Sequence, residues 1–483
     1  MKTPLRIIIL LINFGCLTLT DFTFAADTRF EGGIAVDGFG NVYVTGGSFG
    51  SGSGTDFATV KYNSSGTQQW VSRYNGPGGN EDVPYAIAVD GSGNVYVTGG
   101  SFGSGSGLDF ATVKYNSNGV QQWVRRYNGP ANSDDVAYAI AIDGSGNVYV
   151  TGSSRGTGTA LDYATVKYNS SGTRQWVSRY NGPANMDDIA YSIAVDCAGN
   201  VYVTGGSTGA GSGFDYATVK YNSSGTQQWA SRYNGPANSN DTAYSVAVDC
   251  CGNVYVTGGA TGLGSGSNYA TVKYSSSGWQ QWVSTYNGPA NSDDVAYALA
   301  IDGVENVYVT GASFGSGSGY DYATLKYDSS GSEQWASRYN GPANSHDIAY
   351  ALVVDISGAV YVTGGSTGSG TAFDHLTIKY DPNGGQLWAS RYNGPDSGND
   401  MANSLAIDGS GNVYVTGSSF GWSSGLDFAT VKYNSGGSEL WVSRYNGPGN
   451  GDDISGMFDL RRSRRFAFIP RASFVDLSEA LVF

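Results

Sequence analysis

Short runs of apolar and β-branched residues alternate along the chain with clusters of Gly, Ser, Asn and Asp, and no stretch sustains a 3.6-residue apolar period. Runs of this length bounded by turn residues predict strands, not helices. Residues 138 to 183 show the unit. Tyr138-Ala-Ile-Ala-Ile142 is an apolar run ended by the tight-turn sequence Asp143-Gly-Ser-Gly-Asn147. Val148-Tyr-Val-Thr151 follows, closed by Gly152, and a Gly/Ser-rich loop over 153–161 leads into Asp162-Tyr-Ala-Thr-Val-Lys-Tyr168. Asn169-Ser-Ser-Gly172 is a second turn, with Gly172 suited to the left-handed conformation. Arg174-Gln-Trp-Val-Ser-Arg-Tyr180 is the fourth strand, ended by Asn181-Gly-Pro183. The unit reads as a four-stranded antiparallel meander, and the chain as all-β.

The unit returns every 53 residues without insertion or deletion. Asp37, Asp90, Asp143, Asp196, Asp249, Asp302, Asp355 and Asp408 mark one phase, and the tryptophans from Trp70 to Trp441 another. Tandem four-stranded units of this size predict propeller blades, each burying both faces against its neighbours. Val148 and Tyr149, on opposite faces of one strand, fit that sandwich. The reading is an eight-bladed β-propeller, with a seven-bladed ring plus a surplus unit, or two smaller rings, as alternatives. The propeller is expected over residues 27–453. A divergent or truncated tail is expected over 454–483, where the ninth copy fails and Arg461 stands in place of Asp.

Aromatics at 13% and hydrophobic residues at 40% supply a large core, while charged residues reach only 14%. The net charge of −14 disfavours a nucleic-acid partner, which needs a concentrated basic surface. The cluster of Arg461, Arg462, Arg464, Arg465 and Arg471 lies outside the repeats. Residues 1–26 read as a secretory signal: Lys2 and Arg6, an apolar run from Ile7 to Leu19, and Thr23-Phe24-Ala25-Ala26 as the exit. Lipid attachment through Cys16 has a poor lead-in. No other long apolar segment follows, so the expectation is a monomeric protein, secreted or at the cell surface, without a transmembrane segment after signal removal.

Ala141-Ile-Asp143-Gly-Ser-Gly-Asn-Val-Tyr-Val-Thr-Gly152, Asp162-Tyr-Ala-Thr-Val-Lys-Tyr-Asn169 and Ser171-Gly-Thr-Arg-Gln-Trp176 resemble the SBBP β-propeller repeat. The resemblance covers roughly residues 30 to 450. It implies an exported or cell-surface propeller of bacterial type, and it brings no catalytic residues. The family name implies seven blades, whereas eight units are counted here.

Three sets of recurring residues are candidates for chemistry. Lys recurs in all eight units, from Lys61 to Lys432; Asp162 and Arg179 have counterparts in seven of eight, with Asn268 and Thr285 both in the fifth. The shared exception predicts an ion pair across the third and fourth strands of each blade. The pairs would be Asp56–Arg73, Asp109–Arg126, Asp162–Arg179, Asp215–Arg232, Asp321–Arg338, Asp374–Arg391 and Asp427–Arg444. Asp82, Asp135, Asp188, Asp241, Asp294, Asp347, Asp400 and Asp453 recur without exception on the face that carries the Gly/Ser loops. They are the candidates for calcium, yet capping of loop N–H groups is favoured because no dense calcium-loop run is present. No cofactor is expected.

Seven Gly-x-Ser-x-Gly matches, beginning with Gly46 to Gly50, imitate a nucleophile motif, but repetition and the scarcity of histidine (only His346 and His375) argue against a Ser-His-Asp site. Carboxylate-pair glycan chemistry is the enzymatic alternative, a purely structural surface-layer role the other. Cys197 and Cys250 share a turn position in adjacent units and would bridge if that turn lies at a radius of roughly 8 Å; free thiols, or a strained Cys250–Cys251 bridge, are the other readings. Trp422, Phe49, Phe102, Phe314 and Phe420 are the ligand-binding candidates, since exposed aromatics stack on sugars or anchor proteins. Trp279 lies in the opposite face's turn. The expected function is a binding or scaffold module for protein or glycan, without a catalytic site.

Overall fold

A computed structural model describes residues 33–455. The signal segment, the first residues assigned to the propeller, the Arg461 cluster and residues 456–483 of the tail lie outside the described residues. Within them the regular elements are all strands, arranged in eight antiparallel sheets in sequence order. In blade 3 the strands are Asp135–Ile142, Val148–Arg155, Leu161–Tyr168 and Arg174–Tyr180. The innermost strands adjoin one another around the ring, and the eighth adjoins the first. The protein is an eight-bladed propeller.

Alternating β-branched and aromatic residues make both faces of each blade apolar, so the core is a series of slabs between blades. Tyr96, Phe110, Trp123 and Tyr127 of blade 2 pack on Val148, Val150, Val166 and Tyr168 of blade 3. Tyr414, Phe428 and Tyr445 of blade 8 pack in the same way on Val42, Val44, Val60 and Tyr62 of blade 1.

A polar latch ties each slab at its outer rim. Trp123 Nε1 donates to Ser170 O of the next blade at 3.3 Å. The Asn169–Gly172 turn lies beneath that indole. Gly172 has φ 81°, and a Cβ there would meet the Trp123 ring at 2.8 Å, so glycine is required by both conformation and contact. Lys114 also donates to Ser170 O, at 3.3 Å, with its ammonium 4.9 Å from the centroid of Tyr96. This cation–π seat recurs in all eight blades, which accounts for the invariant lysine.

The innermost strands of blades 2 to 8 each carry one extra residue. Thr151 pairs with Ala139 and Gly152 with Ala137, which leaves Tyr138 bulged. The bulged residues Tyr85, Tyr138, Tyr191, Tyr244, Tyr297 and Tyr350 form an arc, with successive ring centroids 5.3–5.8 Å apart. Asn403 takes the position in blade 8, and its side chain donates to Ser455 O.

That contact marks the closure. The innermost strand of blade 1 is Gly33–Val36, and the segment Asp453–Ile454 completes it by pairing Asp453 with Ser48 and Ile454 with Gly47. Residues 454 and 455, assigned to the tail from sequence, therefore belong to the propeller. Phe49 N donates to Asp453 Oδ1 at 2.9 Å, and Gly447 N donates to Oδ2. Asp453→Ala would leave both buried donors unpaired. The expected loss is about 2–4 kcal/mol of apparent stability in urea unfolding; an unchanged midpoint would show that this segment does not close the ring.

Candidate functional site

The loop between second and third strands and the connection to the next blade share one face. The recurring Asp135-type carboxylates lie beneath it, fully buried. Asp135 Oδ2 accepts from Gly129 N of the Asn-Gly-Pro corner and Oδ1 from Arg155 N at 3.1 Å. Asp82, Asp188, Asp241, Asp294, Asp347, Asp400 and Asp453 hold the corresponding glycines. These carboxylates cap loop N–H groups. The neighbouring Asp134 turns away, and its Oδ1 accepts from Leu108 N of the preceding blade at 3.0 Å. His346 does the same work through Nδ1, accepting from Tyr320 N at 3.2 Å. Among the described residues no group of three or more His, Cys, Asp or Glu side chains is placed to share a metal ion.

Beside the capping carboxylates, on the same row of the sheet, runs a second polar network. Arg179 Nη2 donates to Asp162 Oδ2 at 2.6 Å and to Ser154 O at 2.7 Å. Its Nη1 donates to Ser154 Oγ and, at 3.1 Å, to Tyr127 Oη of the preceding blade. All seven expected ion pairs form, at 2.6–3.0 Å. The partners are diagonal and not directly opposed, because Arg179 pairs with Ala164 and Asp162 with Ser154. The serines of the Gly-x-Ser-x-Gly matches, Ser48, Ser101, Ser154, Ser207, Ser313, Ser366 and Ser419, are the hydroxyls that accept these arginines. The motif is a structural seat.

The cysteine bridge is not present. Cys197, Cys250 and Cys251 are free, exposed thiols, and the sulfurs of Cys250 and Cys251 are 3.9 Å apart. The reason is visible at the equivalent Gly38, Gly91, Gly144, Gly303 and Gly409, where a Cβ would meet nothing within 4 Å. This turn points its side chains into solvent, as Ile356 at 94% exposure confirms, whereas a disulfide needs Cβ atoms about 3.5–4.5 Å apart.

The candidate aromatics divide. Phe102 packs with Tyr85, Leu108 and Val136, and Phe314 lies edge-on to Tyr320 with centroids 5.0 Å apart. Phe49 covers Gly449 and Gly451 of the closing connection. Phe420 and Trp422 remain exposed, Trp422 at 81%. Trp279 is exposed on the opposite face. His375 was not singled out for any role by the sequence. It replaces the tyrosine or phenylalanine of the other third strands, is fully buried, and contacts Ser418 O through Nε2 at 3.2 Å.

The fold and its repeated polar seats define a closed, eight-bladed propeller built of near-identical blades. The model of the SBBP beta-propeller repeat matches residues 69–103, 122–158, 175–211 and 389–421, so the chain carries SBBP-type repeats. An uncharacterized WD repeat-containing protein of Acanthamoeba polyphaga mimivirus is 24% identical over 460 residues, covering 77% of this chain and 32% of the relative. The chain thus spans about a third of that relative's length. Among solved structures, a eukaryotic initiation factor matches at TM-score 0.45 with 9% identity, over 87% of this chain and 88% of the other. The β-propeller domain of the Trilobed protease from Pyrococcus furiosus matches at 0.41 with 8% identity, over 74% and 98%.

Two outcomes test these seats. Arg179→Thr alone strands a buried carboxylate and is expected to cost about 2–3 kcal/mol, whereas Ser154→Ala/Asp162→Asn/Arg179→Thr, which copies blade 5, should return to within about 1 kcal/mol of wild type. Equal losses in urea unfolding would show that the three do not act together.

The second outcome concerns pH. Burial raises all eight capping aspartates, pushing Asp188, Asp241 and Asp347 up to about 6. A carboxyl raised on folding adds stability that is full below its unfolded value and lost as pH rises to about 6. Burial pushes His375 down to about 4, so its contribution runs the other way and is lost as pH falls from about 6.5. His375→Phe, the residue of blades 1, 2 and 8, removes the opposing effect. The variant's advantage over wild type should be about 2 kcal/mol larger at pH 5 than at pH 7.5; a pH-independent difference would place the imidazole in solvent.

Proposed function

We propose that this protein is an exported propeller acting as a binding or scaffold module for a protein or glycan ligand, without a catalytic centre. One observation carries the reading. The side chains repeated in every blade are engaged in holding the ring, whereas Trp422 and Phe420 are exposed aromatics of blade 8. Trp422 Nε1 donates to Pro395 O at 3.0 Å. In other blades a hydroxyl makes that contact, Thr157 to Pro130 O and Ser316 to Pro289 O. The indole therefore does the loop-holding work at one edge and leaves its faces to solvent. A large ring fixed in this way loses little conformational freedom on contact, which suits stacking on a sugar or packing against a protein.

The enzymatic alternative draws support from Asp188, Asp241 and Asp347, whose values near 6 suit a general acid. Burial beneath the loops and bonds to backbone N–H groups keep those carboxyls away from a substrate.

A glycan array and a capture experiment with surface proteins, each paired with a hydrolysis assay, test the proposal. Wild type should bind one class saturably, without turnover, and Trp422→Ala should weaken binding at least about tenfold with unchanged unfolding temperature. Product release from a bound glycan, retained in Trp422→Ala, would overturn it.

A further inference from the structure

The turn at 249–253 joins the first two strands of blade 5 and is held by its ends. Asp249 Oδ1 accepts from Cys251 N at 2.8 Å and from Asn253 N at 2.9 Å. Its Oδ2 accepts from Asn253 Nδ2 at 2.8 Å and from Tyr255 Oη at 3.1 Å. Gly252 N returns to Asp249 O at 3.1 Å, with φ 78° at Gly252. Blade 3 makes the same side-chain contacts around Asp143, with Gly144 and Ser145 in the two middle positions. The turn therefore asks nothing of the side chains at 250 and 251.

Blade 5 places a thiol at both. Cys250 and Cys251 stand where blades 2, 3 and 8 have Gly91-Ser92, Gly144-Ser145 and Gly409-Ser410, and no other blade carries two cysteines there. Both are exposed and free, with their sulfurs 3.9 Å apart. That spacing selects among thiophilic ligands. A linear two-coordinate ion needs sulfurs separated by twice a metal–sulfur bond, roughly 4.6 Å. A tetrahedral ion matches the spacing, at about 3.8 Å along an edge, but takes four ligands. Among the described residues no third His, Cys, Asp or Glu is placed to join the pair. A trivalent arsenic centre is pyramidal and has neither requirement. It needs two sulfurs close together and brings its own third substituent, and two exposed side chains draw slightly closer by rotating about χ1.

We propose that the Cys250 and Cys251 pair is a binding site for trivalent arsenic, as arsenite or a mono-organoarsenical. Each thiol forms one arsenic–sulfur bond, and its proton leaves with an arsenic-bound hydroxide as water. Arsenous acid and the two thiols thus give a dithioarsenite that keeps one hydroxyl, with release of two waters. Arsenic stays trivalent and the sulfurs are not oxidised, so no oxidant or reductant takes part. Arsenous acid is uncharged at neutral pH and approaches a chain of net charge −14 without repulsion, whereas anionic thiophiles are turned away. The first bond makes the second intramolecular, which raises the affinity of the pair far above that of a single thiol. Cys197, exposed and alone on the equivalent turn of blade 4, is the built-in comparison.

The site lies on the face opposite Trp422 and does not depend on a ligand at that loop. The full chain, reduced and freed of reductant, is titrated with phenylarsine oxide, whose arsenic carries one phenyl group and takes two thiols with release of one water. One arsenical should be taken up per chain, and two thiols should be lost to maleimide. Dimercaptopropanol should release the arsenical, while β-mercaptoethanol at the same thiol concentration should not. Cys250→Ser and Cys251→Ser should each raise the half-saturating concentration at least about tenfold. Cys250→Gly/Cys251→Ser, which restores the turn of blades 2, 3 and 8 and so preserves folding, should lose the tight uptake, while Cys197→Ser and Trp422→Ala should bind as wild type does. No uptake by wild type, uptake as tight in the double variant, or uptake lost in Cys197→Ser would each overturn the site.

Discussion

Every blade hands its outer rim to the next through hydrogen bonds onto one turn, and the ring depends on that contact closing on itself. The tryptophan indole and a neighbouring serine hydroxyl reach carbonyls of the following blade's third turn, as Trp70 does with Ser117 O at 3.1 Å and Ser72 with Gly119 O at 2.6 Å. Trp441 and Ser443 make the same contacts with Ser64 and Gly66, at 3.1 and 2.6 Å, so the eighth interface repeats the first. In blade 2 the serine is Arg125, and its Nε still finds the carbonyl of Gly172. A closed ring turns through one eighth of a circle at each interface, and a deviation at one accumulates at the seam. The strict 53-residue period is the sequence trace of that constraint.

Repetition made much of this legible in the sequence. Strand order, turn glycines, the count of eight units and the Asp162–Arg179 pair could be read because a column of eight residues shows what one residue cannot, whereas the closure of all eight into one ring is shown by the contact of the eighth blade with the first. The missing features were those without such a column. Tyr138 bulges because two strands of unequal count are paired, and that count is a property of register, not of composition. The role of Asp453 was hidden because its strand partner lies some four hundred residues earlier in the chain. The cysteine bridge failed because sequence places Cys197 and Cys250 at equivalent points but says nothing of where a turn aims its Cβ. In blade 5 the sequence shows Asn268 and Thr285 departing together, and the absence of a Gly-x-Ser-x-Gly match in that same blade marks the third change, Ala260.

A ring of eight equal blades offers a ligand eight equal sites or the axis, and a selective partner needs something that breaks the equality. The departures gather around blades 5 and 6. Ala260, Asn268 and Thr285 remove one ion pair, and Glu305 adds another on the opposite face. Glu305 stands at a turn position held by glycine in the other blades, with φ 66°, a conformation that costs a residue with a Cβ about 1 kcal/mol. Its carboxylate accepts from Lys273 of blade 5 at 3.0 Å and from Tyr255 Oη at 3.3 Å. The strained turn is thereby tied to the blade that has lost its arginine, and the interface between blades 5 and 6 keeps a charged tether at the rim opposite the loops. Such an arrangement lets blade 5 change its loop-side chemistry while the ring stays closed, because the latch of Trp229 and Ser231 onto blade 5 and that of Trp282 and Ser284 onto blade 6 are both intact. Blade 8 achieves its own break differently, by changing a loop residue to Trp422 without touching the network below it. The scaffold thus separates the residues that hold the ring from those free to vary, and it is the second set that a ligand can select.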